Sequence, residues 1–339
     1  MTHELKEIVR QVLLNQKRGH KSVLATVVDL DGSSYRGPGV RMLLSETGDM
    51  TGAVSGGCVE KEIQRQAETV FATGKALVMT YDGRYRLGCE GMLYILLEPI
   101  RVSDTFLDDF LNCLSHRKPF RIRTFYEKKE GAQGYFGSII QFANDQSHQL
   151  SDEFDEVSSK DLEIFEQVMD PCFRLWLIGG EHDAIKLCAM ASQLGWEVDV
   201  VTSPKDPRKS ADFPGARHVS SESPETIQCH MIDDQTAVIL MTHNYSLDLK
   251  YLLALKEHTP AYLGMLGSSK RRGRLENDLF EYAPELNEEF LENIHSPAGL
   301  NIGAETPEEI ALSILAEILA VTRKKEPFSL KRIMGKIHS

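Results

Sequence analysis

The feature that most constrains the fold is an alternation of apolar strands and helical segments in the second half of the chain. Phe173 to Ile178 is a run that is apolar except at Arg174 and leads into Gly179-Gly180, and a helical pattern follows to Leu194. Further apolar strands are predicted at 197–201, 237–241 and 261–266. Buried strands separated by helices are typical of a parallel sheet covered by helices on both faces. The sequence therefore predicts an α/β fold whose second domain, residues 166–339, is Rossmann-like.

The first half lacks this regular alternation. Short β-rich runs are predicted at 22–29, 41–45, 50–54, 76–81 and 92–97. Helical spacing covers 3–19, and a second helix begins at Cys58 and runs to about Phe71. This pattern predicts a mixed α+β domain over residues 1–165, with the polar stretch 144–160 as a linker. A chain of 339 residues is long enough for two such domains.

Composition narrows the possible partners and compartment. The net charge of −12 disfavours nucleic-acid binding through the whole surface. No apolar run approaches the roughly 18 residues of a membrane span, and the polar start has no signal core, so no membrane partner and a cytoplasmic location are expected. Six cysteines are scattered without a Cys-x-x-Cys pair, which favours reduced thiols and no bound metal.

A cysteine in a glycine turn, Ser55-Gly56-Gly57-Cys58, is the first candidate for chemistry. Glycines permit a tight turn and the close approach of a ligand. If a helix begins at Cys58, its N–H groups and dipole favour the thiolate. Useful reactivity needs further positive charge, for which Arg36 and Arg41 are candidates. The alternative is a small residue that packs in the core.

Cys89 repeats this arrangement, with Gly88 before it and Gly91 two residues later. Two thiols in glycine turns of one domain are expected either to face each other across a pocket or to pack independently. Local pattern alone favours independent packing slightly.

The turn Gly179-Gly180-Glu181-His182 lies where a dinucleotide-binding fingerprint is expected. The second glycine of G-x-G-x-x-G lets a pyrophosphate approach the backbone, but Glu181 occupies that position here. A carboxylate there obstructs and repels phosphate. The acidic ribose-binding residue at the end of the second strand is also missing, because Val201 is followed by Thr202. The sequence of this turn therefore supports a Rossmann-like fold strongly and NAD binding only weakly.

Two other strand ends carry polar groups. Gly267 and Ser268 precede a helix that carries Arg271, which suits an anion or phosphate site; a solvated basic face is the alternative. Thr242 and His243 follow another strand and are expected at the same crevice. A base–orienter pair of His243 with downstream Asp248 is possible chemistry for this edge, although a structural histidine is the commoner case.

Together these segments resemble the XdhC/CoxI family, the accessory factors of xanthine dehydrogenase and related molybdenum hydroxylases. The matching stretches are Gly32 to Met42, Gly52 to Glu60, Leu87-Gly88-Cys89, Met241-Thr242-His243, Tyr262 to Arg274 and His295 to Ala304, leading into Thr306 to Ala311. They occur in order across both halves, from about residue 20 to 323.

The resemblance implies a chaperone rather than an enzyme. Such a protein binds molybdenum cofactor (molybdopterin) transiently, helps a cysteine desulfurase install its terminal sulfur, and passes it to the apo molybdenum hydroxylase. A homodimer is expected. The family places Cys58 and Cys89 in the sulfur-handling roles. The residues expected to bind the cofactor are Arg36, Arg41, Ser55, Gly56, Gly57, Gly179, Gly180, His182, Thr242, His243, Gly267, Ser268 and Arg271.

The sequence departs from the family at three positions. Family members commonly carry glycine where this chain has Glu181 and Glu90, and an acidic residue near Thr202. These changes are expected to restrict the site at the Rossmann turn or to retune its specificity. The competing hypotheses are an NAD(P)-dependent oxidoreductase and a nucleotide-sensing regulator, both using the second domain.

Overall fold

The chain forms two compact units, Met1–Pro171 and Cys172–Ser339. The computed structural model describes residues 1–34, 36–55, 57–83, 91–154, 161–286 and 288–332. Within these ranges, five side chains are outside the description: those of Cys58, Ser269, Glu276, Glu288 and Glu289. The domain boundary expected at 165/166 falls inside a strand, Glu163–Met169, that belongs to the first unit.

The first unit contains two antiparallel sheets. Their strands, numbered in chain order, are β1 (Ser22–Asp31), β2 (Arg41–Ser45), β3 (Met50–Gly52), β4 (Ala76–Asp82), β5 (Met92–Pro99), β6 (Phe120–Tyr126), β7 (Gln133–Gly134), β8 (Gly137–Gln141), β9 (Ser147–Gln149) and β10 (Glu163–Met169). The larger sheet has the order β3-β2-β1-β5-β4-β7, and the smaller has the order β10-β6-β8-β9.

Three helices pack on these sheets: α1 (Thr2–Lys17), α2 (Cys58–Thr73) and α3 (Asp104–Ser115). Side chains alternate between the faces of a strand, so Val23 and Ala25 of β1 pack against α2. Leu24, between them, faces α1 and the aromatic cluster of α3. Strand β1 is consequently buried on both faces, and α2 covers one face of the larger sheet. The mixed α+β architecture expected for this half is confirmed.

The second unit contains one parallel sheet of six strands in the order β13-β12-β11-β14-β15-β16. These strands are β11 (Arg174–Ile178), β12 (Glu197–Thr202), β13 (Ala216–Ser221), β14 (Thr236–Leu240), β15 (Tyr262–Met265) and β16 (Ile294–His295). The helices are α4 (His182–Gln193), α5 (Tyr245–Leu255), α6 (Ser269–Tyr282), α7 (Glu288–Glu292) and α8 (Pro307–Thr322).

The order of the parallel strands reverses between β11 and β14. The chain moves outward from β11 through β12 and β13, then returns to β14 and continues in the opposite direction. Helices α4 and α8 share one core with the sheet, and α5 and α6 share the core on its other face. This is the doubly wound arrangement, in which ligands bind outside the carboxyl ends of the strands at the reversal. The predicted Rossmann-like sheet is confirmed.

The segment after β16 is fastened to α8 by a buried polar cluster. The ring of His295 stacks on Tyr262 with centroids 4.4 Å apart, and its Nδ1 lies 3.5 Å from a carboxylate oxygen of Glu317. Gly299 donates its N–H to the other carboxylate oxygen at 2.7 Å. Burial alone would raise the pKa of Glu317, but these partners and the Tyr262 hydroxyl lower it to about 2. Thr306 caps α8 by accepting the N–H of Glu309.

None of the described helices has both the length and the apolar character needed to cross a membrane.

Candidate functional sites

Helix α2 begins at Cys58, as the sequence predicts. Gly57 precedes it with φ +118°, a left-handed backbone conformation that residues other than glycine rarely adopt. A Cβ on Gly57 would meet no atom of the described residues within 4 Å. Gly56 and the side chain of Cys58 lie outside the described part of the chain, as does Cys89.

The turn before α2 is held by the carboxylate of Glu60. Its Oε1 accepts the N–H groups of Val54 at 3.1 Å and Ser55 at 2.6 Å, and its Oε2 accepts that of Gly57 at 2.7 Å. Glu60 is only 7% exposed. Burial alone would raise its pKa, but the backbone N–H groups outweigh burial and hold the pKa below its usual value.

The N–H groups that Glu60 accepts belong to the turn before α2, so the expectation that the first N–H groups of the helix favour a thiolate at Cys58 stays a prediction. The negative charge of Glu60 opposes the helix dipole at this end. The sequence reasoning missed Glu60, although a glutamate three residues after the N-cap position is a recognised capping signal.

Arg36 binds the backbone just before the same turn. Its Nη1 donates to the carbonyl oxygen of Ala53, and its Nη2 donates to Glu4 of α1 at 2.8 Å. The Arg36 side chain is 31% exposed. The predicted neighbour of the turn is therefore present, with its charge already paired to a carboxylate.

Arg41 lies in different surroundings. Met42 and Leu44 of β2 pack against the core of α2, so Arg41, which alternates with them, extends from the opposite face of the sheet. Its Nη1 donates to Gly39 at 3.0 Å and to Gln167 of β10 at 2.5 Å. Burial lowers the pKa of Arg41 to about 10. Glu4 of α1, which pairs with Arg36, also acts on Arg41 through its charge.

The glycine turn after β11 lies against the neighbouring strand end. A Cβ on Gly179 would lie 2.8 Å from the carbonyl carbon of Met241, closer than real Cβ atoms approach. Glu181 is the N-cap residue of α4, but its side chain makes no capping hydrogen bond. His182 is the exposed first residue of α4.

A cation that the sequence reasoning did not identify lies beside this turn. The Arg208 stem passes Gly180, where a Cβ would meet its Cγ at 3.5 Å. The Arg208 Nη2 donates to Asp206 at 2.9 Å, and its Nε is buried without a hydrogen bond to the described residues. Thr202, at the position of the missing ribose-binding acid, is buried and donates to the Ser220 carbonyl at 3.1 Å. Only tertiary folding brings Arg208 to Gly180, so local spacing contains no signal for it.

A buried carboxylate joins two of the predicted residues. Asp248 of α5 accepts the Thr242 hydroxyl at 2.6 Å and the Arg271 Nη2 at 2.5 Å, and it is 1% exposed. Burial raises the pKa of Asp248, although both partners act in the opposite direction. Asp248 therefore fixes the end of β14 relative to the first turn of α6.

The predicted pair of His243 and Asp248 is not formed. His243 has φ +55° and places its Nε2 3.5 Å from the Oδ2 of Asp183 on α4. Its side chain is about half exposed. The carboxylate facing His243 thus comes from the helix after β11, while the oxygens of Asp248 are directed to Thr242 and Arg271.

The turn after β15 is covered by an arginine stem. A Cβ on Gly267 would lie 2.7 Å from the Cδ of Arg271. Ser268 is the exposed N-cap residue of α6, and its hydroxyl makes no capping bond. The Arg271 guanidinium also lies 5.4 Å from the ring centre of Tyr245, and its Nε is buried without a hydrogen bond to the described residues. Donors are therefore concentrated at α6, whereas α4 begins with carboxylates.

Three neighbouring strand ends, after β11, β14 and β15, thus bring the predicted residues of the second unit to one edge of the sheet. Within the described ranges, no three His, Cys, Asp or Glu side chains are grouped so as to hold a metal ion. The cysteines with described side chains, Cys113, Cys172, Cys188 and Cys229, are buried and form no disulfide.

Two family models match separate parts of the chain, one in each unit. Residues 16–82, which contain the Cys58 turn, match the model of the XdhC and CoxI family. Residues 175–318, from β11 into α8, match the XdhC Rossmann domain. The chain belongs to the XdhC and CoxI family. The resemblance drawn from the motifs is thereby confirmed.

Relatives of this XdhC-type chain align with nearly its whole length. It is 29% identical to a probable xanthine dehydrogenase subunit of Bacillus subtilis, covering 90% of this chain and 94% of that protein. It is 27% identical to the molybdenum cofactor insertion chaperone PaoD of Escherichia coli, covering 96% and 91%. A crystal structure named as a xanthine dehydrogenase from Bacillus halodurans superposes with a TM-score of 0.75 at 25% identity, covering 94% and 96%.

Proposed function

We propose that this XdhC-type chain binds molybdenum cofactor, supports its sulfuration and delivers it to a molybdenum hydroxylase of the xanthine dehydrogenase type. The observation that carries the proposal is the alignment with a molybdenum cofactor insertion chaperone over 96% of this chain. The cofactor is cargo in this role, bound transiently and released to the apo-enzyme. A cysteine desulfurase is the proposed sulfur source, and the working form is proposed to be a cytoplasmic homodimer.

In the first unit, Cys58 is the proposed sulfur-handling thiol, with Cys89 as a second. A soft sulfur ligand suits the chemistry of a sulfur-bearing molybdenum centre. Arg36 and Glu60 hold the backbone of this turn in place. The proposed binding residues of this unit are Arg36, Arg41, Ser55, Gly56 and Gly57.

In the second unit, the crevice at the strand reversal is proposed to bind the phosphate of the pterin. The hydrogen-bond donors favour the β15–α6 turn as the place for this phosphate, because Gly267 and Ser268 precede a helix there and Arg271 covers the glycine. The residues proposed to line this crevice are Gly179, Gly180, His182, Thr242, His243, Gly267, Ser268 and Arg271. Glu181 and Asp183 at the start of α4 disfavour a diphosphate there, which weighs against an NAD(P)-dependent oxidoreductase.

Replacing Cys58 with serine is expected to reduce activation of the apo-hydroxylase at least tenfold and to leave the fold intact. The measurement supplies purified protein, molybdenum cofactor, desulfurase and apo-enzyme, then follows recovered hydroxylase activity and bound pterin. Cys113→Ser is the matched control, because Cys113 is buried and donates to the Lys118 carbonyl at 3.2 Å, a bond that serine can keep. Equal activation by both variants would remove Cys58 from the mechanism. Tight binding of NAD without binding of the pterin would contradict the chaperone proposal.

Replacing Arg271 with lysine is expected to weaken pterin binding about tenfold, because one charge-assisted hydrogen bond contributes about 1.5 kcal/mol or more. Lysine keeps a cation beside Asp248 and loses the planar fork. Arg274→Lys is the control, since Arg274 lies on the same helix and contacts the same Tyr245 ring but is 71% exposed. Titration of the pterin, followed by its fluorescence, measures both variants; equal affinity would place the phosphate elsewhere.

A further inference from the structure

A small cavity in the second unit lies away from the strand-reversal crevice. It has a volume of about 220 Å³ and lies at the amino ends of β15 and β16, whereas the crevice lies at the carboxyl ends of the strands. Its walls include His258 before β15, Phe290 of α7 and Asn293 before β16. His295, the first residue of the matching stretch His295 to Ala304, also lines the cavity. The proposed function gives His295 no role.

The imidazole of His295 is fixed on two sides. Its Nδ1 lies 3.5 Å from Glu317, and one ring face stacks on Tyr262 with centroids 4.4 Å apart. Glu317 is itself held in place, because it also accepts the Tyr262 hydroxyl and the Gly299 N–H. A carboxylate beside one ring nitrogen favours the proton there, so Nε2 is the acceptor of the neutral ring. The Nε2 edge of His295 therefore remains for a ligand in the cavity.

His258 adds a second imidazole to the wall. Its Nδ1 is buried and has no hydrogen bond to the described residues. A buried polar atom without a partner destabilises a fold, so this nitrogen favours a ligand that supplies one. Lys256 also lies in the wall, but its ammonium is 2.6 Å from the carboxylate of Glu285. Among the described residues, the cavity thus offers imidazole nitrogens and an aromatic surface without an uncompensated charge.

The size and chemistry of the cavity select a class of ligand. A volume of about 220 Å³ is below the ~300–1,000 Å³ of pockets for drug-sized molecules, so the cavity suits one or two fused rings. A flat ring packs favourably on the aromatic wall at Phe290. A ring N–H is the donor that the Nε2 of His295 requires, and an uncharged ligand leaves no charge to bury.

We propose that this cavity binds an uncharged planar nitrogen heterocycle of one or two rings, which donates its ring N–H to His295. Glu317 is the positioning residue, because it orients the imidazole without contacting the ligand. The site is separate from the crevice proposed for the pterin phosphate, and it does not rest on the proposed function.

Benzimidazole and 1-methylbenzimidazole test the proposal on the whole protein. The two compounds have nearly the same shape, and only the first has a ring N–H. Calorimetric titration at about pH 8, where imidazole rings are uncharged, is expected to show saturable binding of benzimidazole. The methylated compound is expected to bind at least about tenfold more weakly, because the buried acceptor then has no donor.

Two variants identify the cavity as the place of binding. His295→Phe keeps a ring to stack on Tyr262 and removes the acceptor, so benzimidazole binding is expected to weaken at least about tenfold. His258→Phe is expected to weaken it at least about threefold, and it decides the matter if His295→Phe fails to fold. The matched control is His218→Phe, because His218 is exposed on β13 and lies outside the cavity. Its affinity is expected to equal that of the wild type.

The proposal is overturned if benzimidazole shows no saturable binding, or if the methylated compound binds as tightly. It is also overturned if the histidine variants of the cavity bind benzimidazole as the wild type does. The titration contains no molybdenum cofactor, desulfurase or client enzyme. Its outcome is therefore independent of whether the protein delivers molybdenum cofactor, and a failure of the proposed function would appear only in the activation assay.

Discussion

Gly179→Ala is expected to destabilise the second unit by about 3 kcal/mol, the upper part of the range for overpacking a rigid site. The new Cβ would lie 2.8 Å from the carbonyl carbon of Met241, and closer still to its oxygen. Both groups belong to backbone held by the sheet, since Gly179 donates to Val201 at 2.9 Å and Met241 donates to Ile178 at 2.8 Å. Relief therefore requires β11 and β14 to separate at the strand reversal.

The adjacent glycine provides the control. The described atoms nearest to a Cβ on Gly180 would belong to the side chains of Arg208 and Thr202, at 3.5 Å or more, so Gly180→Ala is expected to change stability by less than about 1 kcal/mol. Both tryptophans of the chain, Trp176 and Trp196, lie in the second unit, so their fluorescence in urea reports its unfolding. Equal midpoints for the two variants would contradict the packing of the turn against β14.

The Rossmann-like fold could be predicted because its signal is local. A parallel strand buried on both faces favours a continuous apolar run, and β11 and β14 each show four consecutive apolar residues after a polar first residue. The capping residues of α8, with Thr306 as N-cap and Pro307 first in the helix, mark a boundary that the structure reproduces. In both cases the residues that determine the element are neighbours in the sequence.

The residues that organise the sites were harder to predict, because their partners come from distant parts of the chain. Arg208 reaches Gly180 only when the segment after β12 folds back toward the first turn. His243 was paired with Asp248 from their proximity in sequence, but a left-handed backbone at His243 turns its ring toward Asp183. No local pattern specifies that choice.

Glu60 is an intermediate case. Its spacing from Gly57 is a capping pattern visible in the sequence, and it predicts one hydrogen bond to the N-cap N–H. The further bonds to Val54 and Ser55 depend on the conformation of the turn. Because the turn contains two glycines, the sequence alone does not predict that conformation. Spacing therefore locates the carboxylate, and the folded turn determines how much of the backbone it holds.

A pH-dependent effect is expected at two buried and oppositely charged side chains of the first unit, Arg41 and Glu98. Arg41→Met is expected to destabilise that unit by about 1 kcal/mol more at pH 8 than at pH 5, because a Glu98 that loses the opposing charge takes up a proton and so limits the cost. Glu98 is fully buried and accepts the Ser138 N–H at 2.8 Å and the Ser138 hydroxyl at 2.6 Å. Burial raises its pKa to about 7, while Ser138 and Arg41 act to lower it. Without Arg41, that pKa rises further.

The cost of Arg41→Met should therefore depend on pH. Because folding raises the pKa of Glu98 from 4.5, the folded state binds the proton more tightly, and stability falls as pH rises from 4.5 to about 7. In Arg41→Met the fall continues above pH 7, since the folded pKa is higher. At pH 5 Glu98 is largely protonated in the folded protein, so the variant is expected to lose much less stability.

Adding Glu98→Gln to Arg41→Met supplies the decisive comparison. Glutamine can keep a hydrogen bond to Ser138 and carries no charge to bury, so the double variant is expected to recover most of the pH 8 loss and to lose its pH dependence. Hydrogen exchange of β1, β2 and β5 peptides, read by mass spectrometry at pH 5 and pH 8 with rates corrected for pH, follows this unit separately. If Arg41→Met costs the same at both pH values, or if the double variant is as unstable as the sum of the single ones, Glu98 is not the charge that Arg41 compensates.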